Sequence, residues 1–225
     1  MQPEQIYSYL YQQIRSITKD KPVRIAINGM EGTGKTTFAE KLTNYLIAHQ
    51  SRAVHVSIDG YHHDRARRYR QGRDSALGYY EDAYDEDAFV RLVLLASQGE
   101  RPQYTPAIHD LVSDKYLDME RLELDHDAII ISDGSYLFKS IYRPHWDLKI
   151  FLKADQAIAM ERGVSRDREE LGGDRAARDK YVKRYHAAFA IYQSEVNPEM
   201  LADIVIDYND FENPFISKQV YKVVL

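Results

Sequence analysis

The chain has 225 residues, no cysteine and a formal charge of −5, from 30 basic against 35 acidic side chains. Hydrophobic residues make up 44% and charged residues 29%, a balance that excludes disorder along the whole chain. Without cysteine there is no disulfide framework, thiolate nucleophile or thiolate-held metal, and the acidic balance argues against a nucleic-acid partner. No apolar run reaches the roughly 20 residues of a membrane span. Residues 1–17 lack the basic start and apolar centre of a signal peptide. The expectation is a cytoplasmic protein without a membrane partner.

In chain order, Ile6, Leu10, Ile14 and Ile17 recur at helical spacing and predict an amphipathic first helix, closed by Pro22. Residues 23–27 are short, apolar and β-rich, a buried strand. A glycine-rich turn follows, and Phe38, Leu42, Tyr45 and Leu46 then mark one face of a helix running to about His49. Residues 54–58 read as a second strand and 85–97 as a helix. The run 128–132 (Ala-Ile-Ile-Ile-Ser) and residues 148–152 suit strands covered on both faces. Residues 155–163 and 176–195 predict helices, and 204–206 a last core strand. Alternating strands and helices predict an α/β three-layer sandwich around a parallel sheet. Nothing marks a domain boundary, so one domain over 1–225 is expected. The polar, irregular stretches 59–84, 99–127 and 163–175 fall where such folds carry their ligands.

Gly29-Met30-Glu31-Gly32-Thr33-Gly34-Lys35-Thr36, followed by Thr37, satisfies G-x-x-x-x-G-K-[ST]. Glycines let successive backbone N–H groups turn inward around an anion, and the following helix points its positive end at it. Lys35 can reach the β- and γ-phosphates, and the Thr36 hydroxyl can bind Mg²⁺. A strand before the loop and an amphipathic helix after it supply the setting this chemistry needs. Nucleoside triphosphate binding follows, with residues 29–37 as the phosphate site. No Asn-Lys-x-Asp guanine motif is present, which leaves a small-molecule kinase as the common remaining solution.

The second strand ends in Ser57-Ile58-Asp59-Gly60-Tyr61-His62-His63, at the sheet edge that carries the phosphate loop. A carboxylate there can take a proton from an attacking hydroxyl. The same residue type also caps strand-end turns.

These segments, in order, resemble the uridine kinase and phosphoribulokinase-like group of P-loop kinases. The resemblance covers roughly residues 22–215 and continues through Arg67-Arg68-Tyr69-Arg70-Gln71-Gly72-Arg73-Asp74 and Tyr79-Tyr80-Glu81-Asp82-Ala83-Tyr84-Asp85. It then takes in Ile130-Ile131-Ser132-Asp133-Gly134, Trp146–Leu152, Arg162-Gly163-Val164-Ser165-Arg166-Asp167 and Ala202–Asp207. The resemblance implies a P-loop kinase core with a lid at about 163–180 and a small acceptor-binding β insertion, the acceptor segments being 59–84 and 99–127. It implies ATP and Mg²⁺, with Thr36, Asp59 and Asp133 around the metal. Asp133 stands where the group usually has Glu. Asp59 would be the general base, and Lys35, Arg162 and Arg166 would stabilise charge in transfer. Leu171 and Gly173 stand where uridine kinases tend to carry arginine.

For the acceptor, the resemblance points to Tyr61, His62, Tyr79, His109 and Asp110. Uridine kinases carry a Tyr-Asp pair and then a His in a hairpin that cups the base; here His109 stands for the Tyr and Asp114 for the His. Tyr79 falls where a ribose-binding Asp is expected, so the acceptor is expected to be another nucleoside, a ribosyl vitamin, a sugar or a pantothenate-like alcohol. His62, His63 and His109 show no zinc-ligand spacing. The run from Arg65 to Arg73 reads as a charged loop or an anion-facing acceptor flap, and the tyrosines at 79, 80 and 84 as packing residues or a stacking platform. The expected activity is phosphoryl transfer from ATP to a hydroxyl of a small molecule. An ATP-binding switch without an acceptor is the alternative, and a nucleic-acid-dependent ATPase ranks last. Assembly into a homo-oligomer is left open.

Overall fold

The computed structural model describes residues 2–220. The expected domain over 1–225 therefore extends outside the described residues at both ends. Its centre is a sheet built from β1 (Val23–Gly29), β2 (Ala53–His55), β3 (Ile129–Gly134), β4 (Leu148–Lys153), β5 (Ile204–Asp207) and β6 (Phe215–Gln219). The order across the sheet is β6-β5-β4-β1-β3-β2. All neighbours run parallel except β6, which is antiparallel to β5 at the edge.

Strict alternation in the strands builds two cores. Ile25, Ile27, Ile129, Ile131, Ile150, Leu152, Ile204 and Ile206 point to one face. There they pack against Ile6, Leu10 and Ile14 of the helix Pro3–Arg15 and against Phe38, Leu42 and Leu46 of the helix Lys35–Ala48. Ala26, Ile130, Phe151 and Val205 point to the other face, against Phe89, Val93, Tyr142, Trp146, Phe189 and Tyr192. Each fully buried aliphatic side chain of this kind contributes about 1.5–3 kcal/mol. A strand apolar at every position is what a helix layer on each face requires.

The three-layer sandwich around a parallel sheet is as expected, with Phe215–Gln219 added as an antiparallel edge whose half-exposed mix of residues carries no buried-strand signature. Two expectations are corrected. Residues 85–97 are not one regular helix. An α-turn at Glu86–Phe89 passes into π-helical turns at Val90–Leu95 and a 3₁₀ turn at Ala96–Gln98. The helix expected over 176–195 likewise runs as Asp174–Lys180, a π segment at Tyr181–Tyr185, and His186–Val196. The stretch 99–127 forms two small antiparallel ribbons, Gln103–Tyr104 with Leu122–Glu123 and His109–Asp110 with Lys115–Tyr116. Among the described residues no helix is long and apolar enough to cross a membrane.

Candidate active site

β1 delivers the chain into the loop 30–34, and the helix Lys35–Ala48 begins directly after it. Gly32 and Gly34 take φ of +86° and +91°, a backbone region open to glycine. At Gly32 a Cβ would also lie 2.0 Å from the Ala159 carbonyl oxygen, so the loop is pressed against the helix Gln156–Asp167. The Thr33 hydroxyl donates to Met30 O at 2.8 Å, and Lys35 Nζ folds back to the same carbonyl at 3.0 Å. Burial pulls the Lys35 ammonium below its ordinary value, while Glu31, Asp133 and Asp59 pull it up. The backbone cradle and the helix N-terminus converge where an anion would sit.

Glu31, Gly32, Gly34, Lys35, Thr36 and Thr37 line a cavity of about 110 Å³, closed on its other side by Asp59, Tyr79, Tyr84, Asp133 and Arg166. Inside it, Thr36 Oγ1 donates to Asp133 Oδ2 at 2.6 Å, and His55 Nε2 meets Asp133 Oδ1 at 2.8 Å. Burial raises the Asp133 carboxyl, but His55 and the Thr36 and Ser57 hydroxyls more than offset this and hold it below the usual carboxylate range. Thr36, Asp133 and Asp59 are hard oxygen donors of the kind Mg²⁺ takes. Among the described residues no three histidine, cysteine or carboxylate side chains form a metal-binding group.

A second cavity, about 390 Å³, adjoins the first and shares Glu31, Asp59, Tyr79 and Arg166 with it. Its remaining wall includes His62, Arg65, Arg68, Tyr69, Tyr181, Arg184 and Tyr185. Asp59 sits on the 3₁₀ turn Ile58–Tyr61, which Ser57 caps by accepting from the Asp59 N–H. Its carboxylate accepts from the Tyr84 hydroxyl at 3.2 Å and is otherwise open to solvent. The His62 ring donates from Nδ1 to the Asp59 carbonyl at 2.8 Å, and burial holds its pKa below the ordinary value. Arg166 is splayed toward solvent, with Nε 2.6 Å from Asp167 Oδ1 and Nη2 3.4 Å from the Tyr181 hydroxyl.

The phosphate-loop residues, Asp59, Asp133, Arg166, His62 and Tyr79 thus meet around two adjoining cavities. Four expected site residues do not. Tyr61 is fully buried, edge-on to Phe89, with its hydroxyl committed to the Thr105 carbonyl. His109 is buried behind the cavity wall, edge-on to Tyr116 and 3.4 Å from Asp114. Asp110 caps its own hairpin by accepting from Ser113 N at 2.7 Å. Arg162 turns away to the 208–211 loop, donating to Tyr208 O at 2.8 Å and Asn209 O at 2.6 Å with its guanidinium 3.5 Å over Phe211. A larger hollow of about 480 Å³ lies at the amino ends of β4 and β5, away from the phosphate loop. Its carboxylates Asp147 and Asp203 are paired with Lys19 and Lys149.

Sequence reasoning missed His55 and Arg184, the hydrogen bond from Tyr84 to Asp59, and the side-chain direction of Glu31. Arg184 is nearly fully buried, donates to Ser75 O at 2.9 Å and Arg68 O at 3.0 Å, and lies between Tyr69 and Tyr79. Tyr181, Arg184 and Tyr185 stand at i, i+3 and i+4, one helical face, and the packing of the π segment turns that face onto the cavity. A histidine closing the short strand β2 was the available signal for His55.

The sequence model of the phosphoribulokinase/uridine kinase family matches residues 24–209. A uridine kinase of Leuconostoc citreum is 31% identical over 167 residues, covering 72% of this chain and 77% of its own. Among solved structures, one described as a possible uridine kinase from Bacillus stearothermophilus superposes with a TM-score of 0.69 at 20% identity, over 88% of this chain and 96% of that one. Phosphoribulokinase from Rhodobacter spheroides does so with a TM-score of 0.60 at 18% identity, over 90% and 76%. These two show a shared fold, that of P-loop kinases. On the family match over most of its length, the chain belongs to the phosphoribulokinase/uridine kinase family.

Proposed function

We propose that the protein transfers the γ-phosphoryl group of ATP to a hydroxyl of a small molecule held in the larger cavity. The observation that carries this reading is the wall of Glu31, Asp59, Tyr79 and Arg166 common to both cavities. It sets a carboxylate and a guanidinium at the junction between a phosphate cradle and a space of metabolite size.

The acceptor oxygen forms a bond to the γ-phosphorus while the bond to the β–γ bridging oxygen breaks, and ADP leaves with that electron pair. The hydroxyl proton passes to the Asp59 carboxylate, oriented by Tyr84. Lys35 leaves the Met30 carbonyl for the phosphates, and Arg166 swings from Asp167 onto the charge that develops. Thr36, Asp133 and Asp59 would hold Mg²⁺, which supplies charge neutralisation on the phosphates when bound. A cytoplasmic site of action is compatible with this reading, and neither a nucleic acid nor a membrane is needed as partner. The Arg65–Arg73 run is largely occupied within the chain, Arg68 with Asp114 and Arg70 with Asp82.

Acceptor-dependent ADP release with uridine, nicotinamide riboside, D-ribose, D-fructose, D-glycerate and pantothenate tests the proposal. At least one acceptor should stimulate release, and Asp59→Asn should abolish the stimulation with ATP binding retained. Release that no acceptor stimulates, or that Asp59→Asn leaves unchanged, overturns it and favours an ATP-binding switch.

A further inference from the structure

The second variable residue of the phosphate loop, Glu31, is nine-tenths buried, yet neither of its carboxylate oxygens meets a donor in full hydrogen-bond geometry, the Ser135 hydroxyl and its own backbone N–H being only neighbours that pull on it. No cation lies within ion-pair distance of it among the described residues. Burial pushes its carboxyl up, against the pull of Lys35 and the Ser135 hydroxyl beside it. A buried acceptor without a donor costs free energy that a purely structural residue has no reason to incur. Its position accounts for the cost, because Glu31 lines both the phosphate cavity and the larger cavity, on the wall that carries Asp59.

We propose that Glu31 is the acceptor-gripping carboxylate, and that the acceptor is a polyol that gives one hydroxyl to Asp59 for phosphorylation and a neighbouring hydroxyl to Glu31. This rests on the kinase reading above and narrows its substrate class. A second hydroxyl close to the reacting one is what two carboxylates on one wall select. An ammonium could also satisfy Glu31; the cavity is lined by four arginines and four carboxylates, Glu31, Asp59, Asp167 and Glu170, so ethanolamine is included in the test to separate the two. Tyr79, Tyr181 and Tyr185 offer ring faces against which a sugar can lie.

The test compares wild type, Glu31→Ala and the isosteric Glu31→Gln, using uridine, D-ribose, D-fructose and D-glycerate, with 2-deoxy-D-ribose and ethanolamine as controls. For the productive polyol, KM should rise roughly 10- to 100-fold in Glu31→Ala, as the loss of a hydrogen bond to a charged group predicts. KM for ATP should change less than KM for the polyol, and Glu31→Gln should give a smaller rise than Glu31→Ala because its amide oxygen still accepts a hydroxyl. Wild type should discriminate against 2-deoxy-D-ribose where ribose is productive, and Glu31→Ala should lose that discrimination. Both variants melting well below wild type or failing to fold, a rise in KM for ATP alone, or ethanolamine as the preferred acceptor each overturn the inference. Wild-type turnover that Glu31→Ala leaves untouched defeats this inference alone. Wild-type inertness toward every acceptor defeats the kinase reading and this inference with it.

Discussion

The Thr36 hydroxyl donates to Asp133 Oδ2 at 2.6 Å, tying the first turn of the phosphate-loop helix to the carboxyl end of the neighbouring strand. His55 occupies the other oxygen of the same carboxylate at 2.8 Å, from the adjacent strand β2. Three elements therefore converge on one buried carboxylate, and its orientation is set before any nucleotide arrives. Thr36 and Asp133 would hold Mg²⁺ here, and His55 would act through Asp133 as a positioning residue.

Asp133→Asn and His55→Ala should therefore both raise the MgCl₂ concentration needed for half-maximal ADP release, by roughly 10- to 100-fold. The measurement is a metal titration of turnover at saturating ATP, beside a nucleotide-binding titration that should move less. A titration curve unchanged in both variants would remove Asp133 and His55 from the metal site.

Arg162 and Arg166 lie one turn apart on one helix but have different neighbours. Arg166→Ala should lower kcat by about 10²- to 10³-fold while leaving the unfolding temperature nearly unchanged, because its side chain is two-thirds exposed. Arg162→Ala should instead cost stability, about 1–3 kcal/mol, from two lost hydrogen bonds and the contact with Phe211. Steady-state kinetics and urea unfolding on the same two variants decide it, and the reverse pattern would exchange the two assignments.

Acidification should destabilise the protein below about pH 6.5, the ordinary histidine value. His62, His63, His145 and His186 are all held below that value, in each case chiefly by burial. Below it the unfolded chain takes up protons that the folded chain refuses, so unfolding free energy falls as pH falls toward the folded values. The urea midpoint at pH 5.5 should be lower than at pH 7.5, a window above the ordinary carboxylate range, and His62→Asn or His186→Asn should shrink the difference. A midpoint that holds or rises on acidification would contradict the burial of these rings.

Much of the site is legible in the sequence where its chemistry is local. The phosphate loop places its anion-binding groups within residues 29–37, and Asp59 lies on the 3₁₀ turn Ile58–Tyr61, four residues past the end of β2, which stops at His55 rather than at 58. The family resemblance implies an acceptor role for Tyr61 and Asp110, and the structure gives both other contacts. The 3₁₀ turn sends Tyr61 into the core, and a tight hairpin uses Asp110 as its own cap. Nothing in residue order distinguishes a tyrosine facing a cavity from one facing Phe89, because a turn changes direction within two residues.

The sequence by itself determined the alternation of buried strands and helices and the phosphate loop, because period-two and period-3.6 burial and a glycine-rich turn are properties of neighbouring residues. The tertiary structure alone decided which side chains share a wall. Residues 31, 59, 79, 166 and 184 reach the larger cavity from five separate segments, through loop directions and a π segment that no local pattern encodes. It also separated Arg162 from Arg166. Helical spacing puts both on one face, but the rise of one turn, about 5.4 Å, carries the first to the 208–211 loop and the second to the mouth of the site.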